Sequence, residues 1–242
     1  MIKKNKLVEK YQSLVASISN DSMIDYTYQI DLVHEIYNIG ESGHWKLLSI
    51  LLDRYSGSKF NVNIIDGVIF ELLLQSTNSD IREKLDCTFK NGIVDLKSDY
   101  SIDYLPLQKL LLDKNFQQAD ILTQSLLCDL SRKSGQHSRA WLYFTDIRSL
   151  PVVDLKTIDK LWQIHSRGLF GLSVQKRIWL STNANWERFW AKIGWKVDNV
   201  SCRYPQEFTW NMTAPQGHLP LFNQLRGVQV LAALFNHPAF YS

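Results

Sequence analysis

Apolar residues recur at three- and four-residue intervals through most of the chain, the spacing that puts them on one face of a helix. Leu7, Val8, Tyr11, Leu14, Val15 and Ile18 form the first such stripe. A second helix is predicted over roughly 26–39, with Leu32, Val33, Ile36 and Tyr37, and stops at Gly40. A third runs over about 43–55, with Trp45, Leu48, Leu51, Leu52 and Tyr55, and ends in Ser-Gly-Ser. A fourth follows Asn63, and a shorter one runs from Ser79 to about Phe89, capped by Ser79 or Asp80. Short helices with short connections predict an antiparallel bundle. A helical-repeat solenoid would share these features, but the segment shows no strict sequence repeat.

The stretch 91–102 opens with Asn-Gly and loses the periodicity, which places a boundary between a bundle over 1–95 and a second domain over 102–240. The second domain begins with a helical pair, Tyr104–Leu112 and Ala119–Leu130, turned at Asp113-Lys114-Asn115. Residues 121, 122 and 125–127 of the second arm are expected to point inward. Residues 131–140 are polar and basic and read as a loop. Helices follow over about Asp154–His165, Gly171–Leu180 and Asn185–Ile193, the last closed by Gly194. From Trp195 to Pro220 the helical pattern is absent, with 208–210 the one candidate for an extended piece. A connection of that length marks a functional loop. A last helix runs from about 220–223 to Phe235. The fold class is all-α.

Composition sharpens the division. Residues 1–100 carry a net charge of −3 and residues 101–242 a net charge of +6, and seven of the eight tryptophans lie in the second part. No apolar run approaches the ~20 residues of a membrane-spanning helix. The N-terminus lacks the apolar core of a secretory signal and the Arg/Ser-rich, acid-poor character of a transit peptide, so the chain is expected to work where it is made. Cys87, Cys128 and Cys202 are odd in number and widely spaced. They read as small buried hydrophobes in a reducing compartment.

Catalytic chemistry finds little support. Asp159, His165 and Ser166 supply the residue types of a nucleophilic triad, but on one helix His165 points about 100° away from Ser166. No strained turn raises the serine. The histidines lack metal-site spacing, no phosphate-binding glycine loop is present, and the arginines are too scattered for a nucleic-acid stripe. What remains is a Trp-rich, moderately basic domain with one long loop. Flat aromatic surfaces and forked guanidinium groups suit a planar apolar ligand with acidic groups at its edge. Trp141, Trp162 and Trp179 fall in or near helical segments and read as core, whereas Tyr204, Phe208 and Trp210 read as a ligand wall.

Seven phrases occur in one order: Ala-Asp-x-Leu-Thr at 119–123, WLYF at 141–144, DLKTIDKLW at 154–162, GLFGLSVQ at 168–175, IGWK at 193–196, APQGHLP at 214–220 and NQLRGVQV at 223–230. Over about 102–240 they resemble the genomes-uncoupled-four family, the tetrapyrrole-binding regulators of magnesium chelatase. The helices before them are similar to the accessory bundle of cyanobacterial members. The resemblance implies a cupped all-helical domain that binds protoporphyrin IX and Mg-protoporphyrin IX. It also implies stimulation of magnesium insertion in chlorophyll synthesis, together with the large porphyrin-binding subunit of the chelatase. It implies no catalytic role, no covalent cofactor, no metal site and no nucleic-acid partner, a monomer, and compatibility with peripheral membrane association. The expected setting is the chloroplast stroma, with the chain plastid-encoded, or the cyanobacterial cytoplasm.

By the same resemblance the ligand site lies over 199–226. Arg226 is the expected propionate partner, Asn223 lies one helical turn before it, Tyr204 covers the macrocycle, and Phe208 and Trp210 line the same region. Phe170 and Val174 are expected to touch the ligand from the cavity wall. Gln229 and Gln124 stand where the family pattern commonly has a basic residue, and Arg203 or Arg139 is expected to compensate. Two other functions use the same surface: a protein-interaction module, and a porphyrin-sequestering module without chelatase activation.

Overall fold

The structure, a computed structural model, describes residues 2–19, 26–57, 60–135, 138–139, 141–222 and 228–241. The chain divides into two compact units, Met1–Ile93 and Val94–Ser242. Among the described residues regular structure is helical apart from one two-residue hairpin, so the fold is all-α.

The first unit contains α1 (Ile2–Ser19), α2 (Tyr26–Tyr37), α3 (Glu41–Tyr55), α4 (Ile64–Leu74) and α5 (Ser79–Thr88). Helix α4 is apolar nearly all round and is the centre of the unit, packing on α2, α3 and α5. Ile65, Val68, Ile69, Leu72 and Leu73 are all buried. A helix of that character needs polar discipline only at its ends. Asn63 accepts the Asp66 N–H at 3.0 Å while Asp66 accepts the Asn63 N–H at 2.9 Å, a reciprocal capping box. The Asp66 carboxylate is also forked by Arg54 of α3, at 2.7 and 3.1 Å. Gly43 lets α3 approach α2 closely, because a Cβ there would stand 1.9 Å from the Ile36 carbonyl oxygen. Only part of the first predicted stripe faces inward: Leu7 and Leu14 are buried, and Val8 and Val15 are exposed.

The second unit contains α6 (Leu105–Leu112), α7 (Phe116–Gly135), a 3-10 turn (Asp146–Ser149), α8 (Val152–His165), α9 (Leu172–Ser181) and α10 (Trp186–Lys192). The hairpin strands β1 (Lys196–Val197) and β2 (Val200–Ser201), α11 (Val228–Phe235) and a 3-10 turn (Pro238–Phe240) follow. Phe116, Trp162 and Phe170 form the aromatic centre, with Phe116 edge-on to Phe170 at 5.2 Å. The Trp162 indole N–H is satisfied by Thr123 Oγ1 at 3.0 Å, which lets a large polar-tipped ring be fully buried.

Several expectations differ from the structure. Residues 131–135 continue α7, because Arg132 pairs with Asp129, Lys133 donates to the Tyr100 carbonyl at 3.0 Å and Ser131 is buried. The apolar stripe fades there but the helix does not. Ile121 and Ser125 are exposed, and Ala119, Thr123, Leu126, Leu127 and Leu130 form the inward face. Residues 97–99, left between the domains, are fastened to α8 of the second unit: Asp154 accepts the Asp99 N–H at 2.9 Å, and Thr157 donates to the Lys97 carbonyl at 2.8 Å. The β1–β2 hairpin has no counterpart among the predicted elements. Its turn residues Asp198 and Asn199 both adopt positive φ, the geometry that two-residue hairpin loops require. Residues 208–210 form no strand. Trp162 is core as expected, whereas Trp179 is half-buried and Trp141 is 57% exposed. None of the three cysteines is buried: Cys87 is exposed, and Cys128 and Cys202 are intermediate.

Candidate functional site

Residues 202–222, which follow β2, are organised around His218. The His218 Nδ1–H donates to the Ile193 carbonyl at 2.7 Å, and Nε2 accepts the Thr209 N–H at 3.1 Å, which fixes one neutral tautomer. Trp195 donates its indole N–H to the His218 carbonyl at 2.7 Å. Burial lowers the His218 pKa, outweighing the carbonyl bond that raises it. The adjoining Gly217 has φ +79°, and a Cβ there would stand 2.6 Å from Ile178 Cδ1. The APQGHLP phrase is thus a packing hub, and His218 carries no free nitrogen for chemistry.

From this hub the loop projects three aromatic rings. Tyr204 is edge-on to Trp210 at 5.8 Å and tilted to Phe208 at 6.4 Å, with Phe208 and Trp210 6.3 Å apart. Phe208 is nearly buried against His218, at 5.5 Å, and the Trp210 indole donates to the Pro205 carbonyl at 3.0 Å. Tyr204 is 51% exposed. A fixed two-ring base therefore carries one open ring, an arrangement suited to a flat apolar ligand.

Helix α7 meets the far end of the loop. Asp120 Oδ1 accepts the Leu221 N–H at 2.7 Å, and Gln124 Nε2 donates to the Leu221 carbonyl at 2.6 Å. Asp120 is 3% exposed, and burial pushes its carboxyl up to about 7 against the opposing pull of the Leu221 N–H. Its charge, after burial, also raises the Tyr204 hydroxyl. From the other side, Gln175 of α9 donates to the Pro220 and Gly217 carbonyls at 2.7 and 3.0 Å. The chain is held on both sides up to residue 222, immediately before 223–227.

Other expected site residues fall differently. Asn223 and Arg226 lie outside the described residues. Phe170 and Val174 are buried in the core, with Phe170 packed on Phe116 and Trp162, so neither belongs to an exposed wall. Gln124 spends its amide N–H on the Leu221 backbone. Gln229 is exposed on α11. Arg203 is forked onto Glu207, whose carboxyl is held low chiefly by the Arg203 N–H and guanidinium. Arg139 pairs with Asp146 at 2.8 Å and lies over the Tyr143 ring. Asp120 carries no local signal beyond its place in a phrase, since its partner is 101 residues away.

Two of the triad residues, Asp159 and Ser166, are committed to the fold. Asp159 accepts the Ser173 N–H at 2.9 Å and the Gln163 amide, and Ser166 Oγ accepts the Phe170 N–H at 2.8 Å. A separate cavity of about 400 Å³ lies at the end of α11, lined by Phe144, Arg148, Ala233, Asn236, His237 and Pro238. Beside Phe144, Trp141 and Tyr143 are also exposed.

These features describe a helical domain whose candidate site is built from one aromatic loop. Residues 97–238 match the GUN4-like family. The chain belongs to that family. It is 40% identical to the structure of GUN4 from Chlamydomonas reinhardtii, which covers 61% of this chain and 96% of that one, with a TM-score of 0.56. It is 48% identical over 213 residues to the protein called ycf53 of Pyropia yezoensis, covering 88% of this chain and 89% of the relative. It is 39% identical over 143 residues to the chloroplastic tetrapyrrole-binding protein of Arabidopsis thaliana, covering 55% of this chain and 54% of that protein. The structural likeness bears out the all-α fold class.

Proposed function

We propose that this chain binds a tetrapyrrole on the Tyr204–Phe208–Trp210 surface and acts in chlorophyll biosynthesis in a plastid or a cyanobacterium. Membership of the GUN4-like family and similarity to a tetrapyrrole-binding protein support the ligand class. The observation that carries the reading is the ring triplet, in which buried Phe208 and bonded Trp210 hold a half-exposed Tyr204. Protoporphyrin IX and Mg-protoporphyrin IX are the ligands. Ring contacts of this kind contribute about 0.5–1.5 kcal/mol each beyond buried area. Propionates supply the specific anchor through Arg226, with Asn223 beside it, because a guanidinium forks onto a carboxylate.

The chain acts without catalysis, by stimulating magnesium chelatase through its large porphyrin-binding subunit, and does so as a monomer in the chloroplast stroma or the cyanobacterial cytoplasm. The exposed group Trp141, Tyr143 and Phe144 favours a second reading, a surface that docks a protein partner. Titration of the purified protein with deuteroporphyrin, followed by tryptophan-fluorescence quenching, tests the first. Saturable quenching that weakens in Y204A supports it, and the absence of saturation overturns it.

A further inference from the structure

Both acids of α8 point inward and both of its lysines outward. Asp154 is fully buried and accepts the Asp99 N–H and the Tyr104 hydroxyl, at 2.9 and 2.7 Å. Asp159 is buried and accepts the Ser173 N–H at 2.9 Å. Lys156, Lys160, Gln163 and Arg167 follow at steps of four, three and four residues, the spacing of one helical stripe, and each is at least partly exposed. Gln163 donates to Ser173 Oγ at 2.8 Å, which sets the outward stripe of α9, Ser173, Arg177 and Leu180, beside that of α8. Helix α9 contains no acid. Four cations therefore share one face that has no carboxylate at its outward helical positions, whereas ordinary surfaces intersperse the two signs. Among the described residues no ion pair joins Lys156, Arg167 or Arg177 to a carboxylate. Arg167 adds a second observation. It lies just past the end of α8 at φ +54°, a left-handed conformation for which glycine is the low-cost residue, yet the position carries a large exposed cation.

We propose that the outward face of α8 and α9 docks an acidic segment of a partner protein, with Lys156, Arg167 and Arg177 pairing its carboxylates. This rests on the part of the proposed function in which the chain acts through a protein partner. Guanidinium groups fork onto carboxylates, and positions 156 to 167 span about 16 Å at helical rise, room for several acidic side chains of one helix or strand. Gln163 and Ser173, between the cations, are polar and bonded to each other, so the centre of the face lacks the apolar side chains with which a peripheral protein enters a lipid surface. Neither stripe carries an aromatic ring, which removes the stacking platform of a single-stranded nucleic-acid site.

The test compares the parent with R167E/R177E and with R82E/K90E, which reverses two exposed cations of the first unit and so makes the same change in net charge. Circular dichroism and melting read folding, and deuteroporphyrin quenching reads the tetrapyrrole site. Surface plasmon resonance at low and high salt reads binding to the large porphyrin-binding subunit of magnesium chelatase. The parent binds the subunit, and more weakly at high salt, because salt screens exposed charge pairs. R167E/R177E folds and quenches as the parent does and binds the subunit about tenfold more weakly, since like charges then face each other. R82E/K90E binds as the parent does. Parental binding by a folded R167E/R177E overturns the face, and equal weakening in R82E/K90E overturns it in favour of net charge alone. Lost binding to phosphatidylglycerol vesicles in R167E/R177E, with subunit binding intact, overturns it in favour of a lipid surface. A parent that is quenched by deuteroporphyrin but does not bind the subunit overturns the partner part of the proposed function. Titration with polyglutamate then decides the face: binding that R167E/R177E loses and R82E/K90E keeps supports it, and equal binding by all three proteins overturns it.

Discussion

The Trp195 indole N–H donates to the His218 carbonyl at 2.7 Å, and the His218 ring then joins the Ile193 carbonyl to the Thr209 N–H. One buried indole and one buried imidazole thus tie the end of α10 to the loop that carries Phe208 and Trp210. Removing the indole N–H leaves the His218 carbonyl without that donor and opens space. W195F should cost about 2–4 kcal/mol, combining a lost buried bond with lost volume. Urea denaturation measures it, and a cost below about 0.5 kcal/mol, the range of ordinary surface changes, contradicts the hub.

Acid should weaken the second unit through its histidines. The pKa values of His218 and His237 are lowered by burial, each partly restored by a bond to a carbonyl. The unfolded chain then binds protons more readily than the fold. Their contribution is complete above the unfolded value of 6.5 and is lost as pH falls from there toward the folded values. Melting temperature should drop below about pH 6.5, the unfolded histidine value, and the H218Q/H237Q variant should show a shallower drop even if it melts lower throughout.

Asp120 acts with the opposite sign. Its carboxyl rises from 3.8 to about 7, so the fold holds the proton more tightly than the unfolded chain does. Stability from this group is greatest below pH 3.8 and is lost as pH rises toward 7. A difference of that size corresponds to at most about 4 kcal/mol. D120N removes the charge and keeps the acceptor. It should gain stability over the parent at pH 8 and lose that advantage by pH 4, as denaturation at the two pH values would show.

The first unit should depend on Asp66, which is fully buried, forked by Arg54 and half of the capping box of α4. D66A strips a partner from a guanidinium and a cap from a helix, at a cost of about 3–5 kcal/mol. The D66N variant keeps the cap acceptor and should cost less. Equal costs in the two variants would mean that the cap adds nothing beyond the ion pair.

Arg203 is restrained by an exposed carboxylate, a pairing that solvent weakens. E207Q should release it toward a porphyrin propionate and raise affinity severalfold, while R203A and R139A should lower it. Parental affinity in both arginine variants would show that neither compensates for the glutamines at 124 and 229.

Much of the fold was legible because its helices are amphipathic at helical spacing: the termini of α2, α3, α5 and α9 lie within a few residues of the predicted ones. Capping residues such as Asn63 and Asn185 mark helix starts in sequence and in structure. The continuation of α7 past Leu130 was hidden, since its last turn is held by Lys133 and Arg132 and not by an apolar stripe. The hairpin depends on two positive-φ residues in a stretch too short to show alternation. At the candidate site the loop aromatics were legible by composition. Phe170 was not separable from them, because an aromatic ring in a core and one in a wall have the same letter. Asp120 and Gln175 were hidden for a different reason: their partners are backbone groups 101 and 42–45 residues away, which no local pattern reveals.

The most direct test of the account is parallel titration of the parent protein and R226A with deuteroporphyrin and its magnesium complex, followed by tryptophan-fluorescence quenching. The account predicts saturable quenching of the parent by both ligands. R226A should bind about 10- to 100-fold more weakly, the loss expected for a charge-assisted bond of about 1.5–3 kcal/mol. Parental affinity in R226A would remove the propionate anchor from this position. No saturable quenching of the parent would contradict the tetrapyrrole reading and leave the protein-docking surface as the better account.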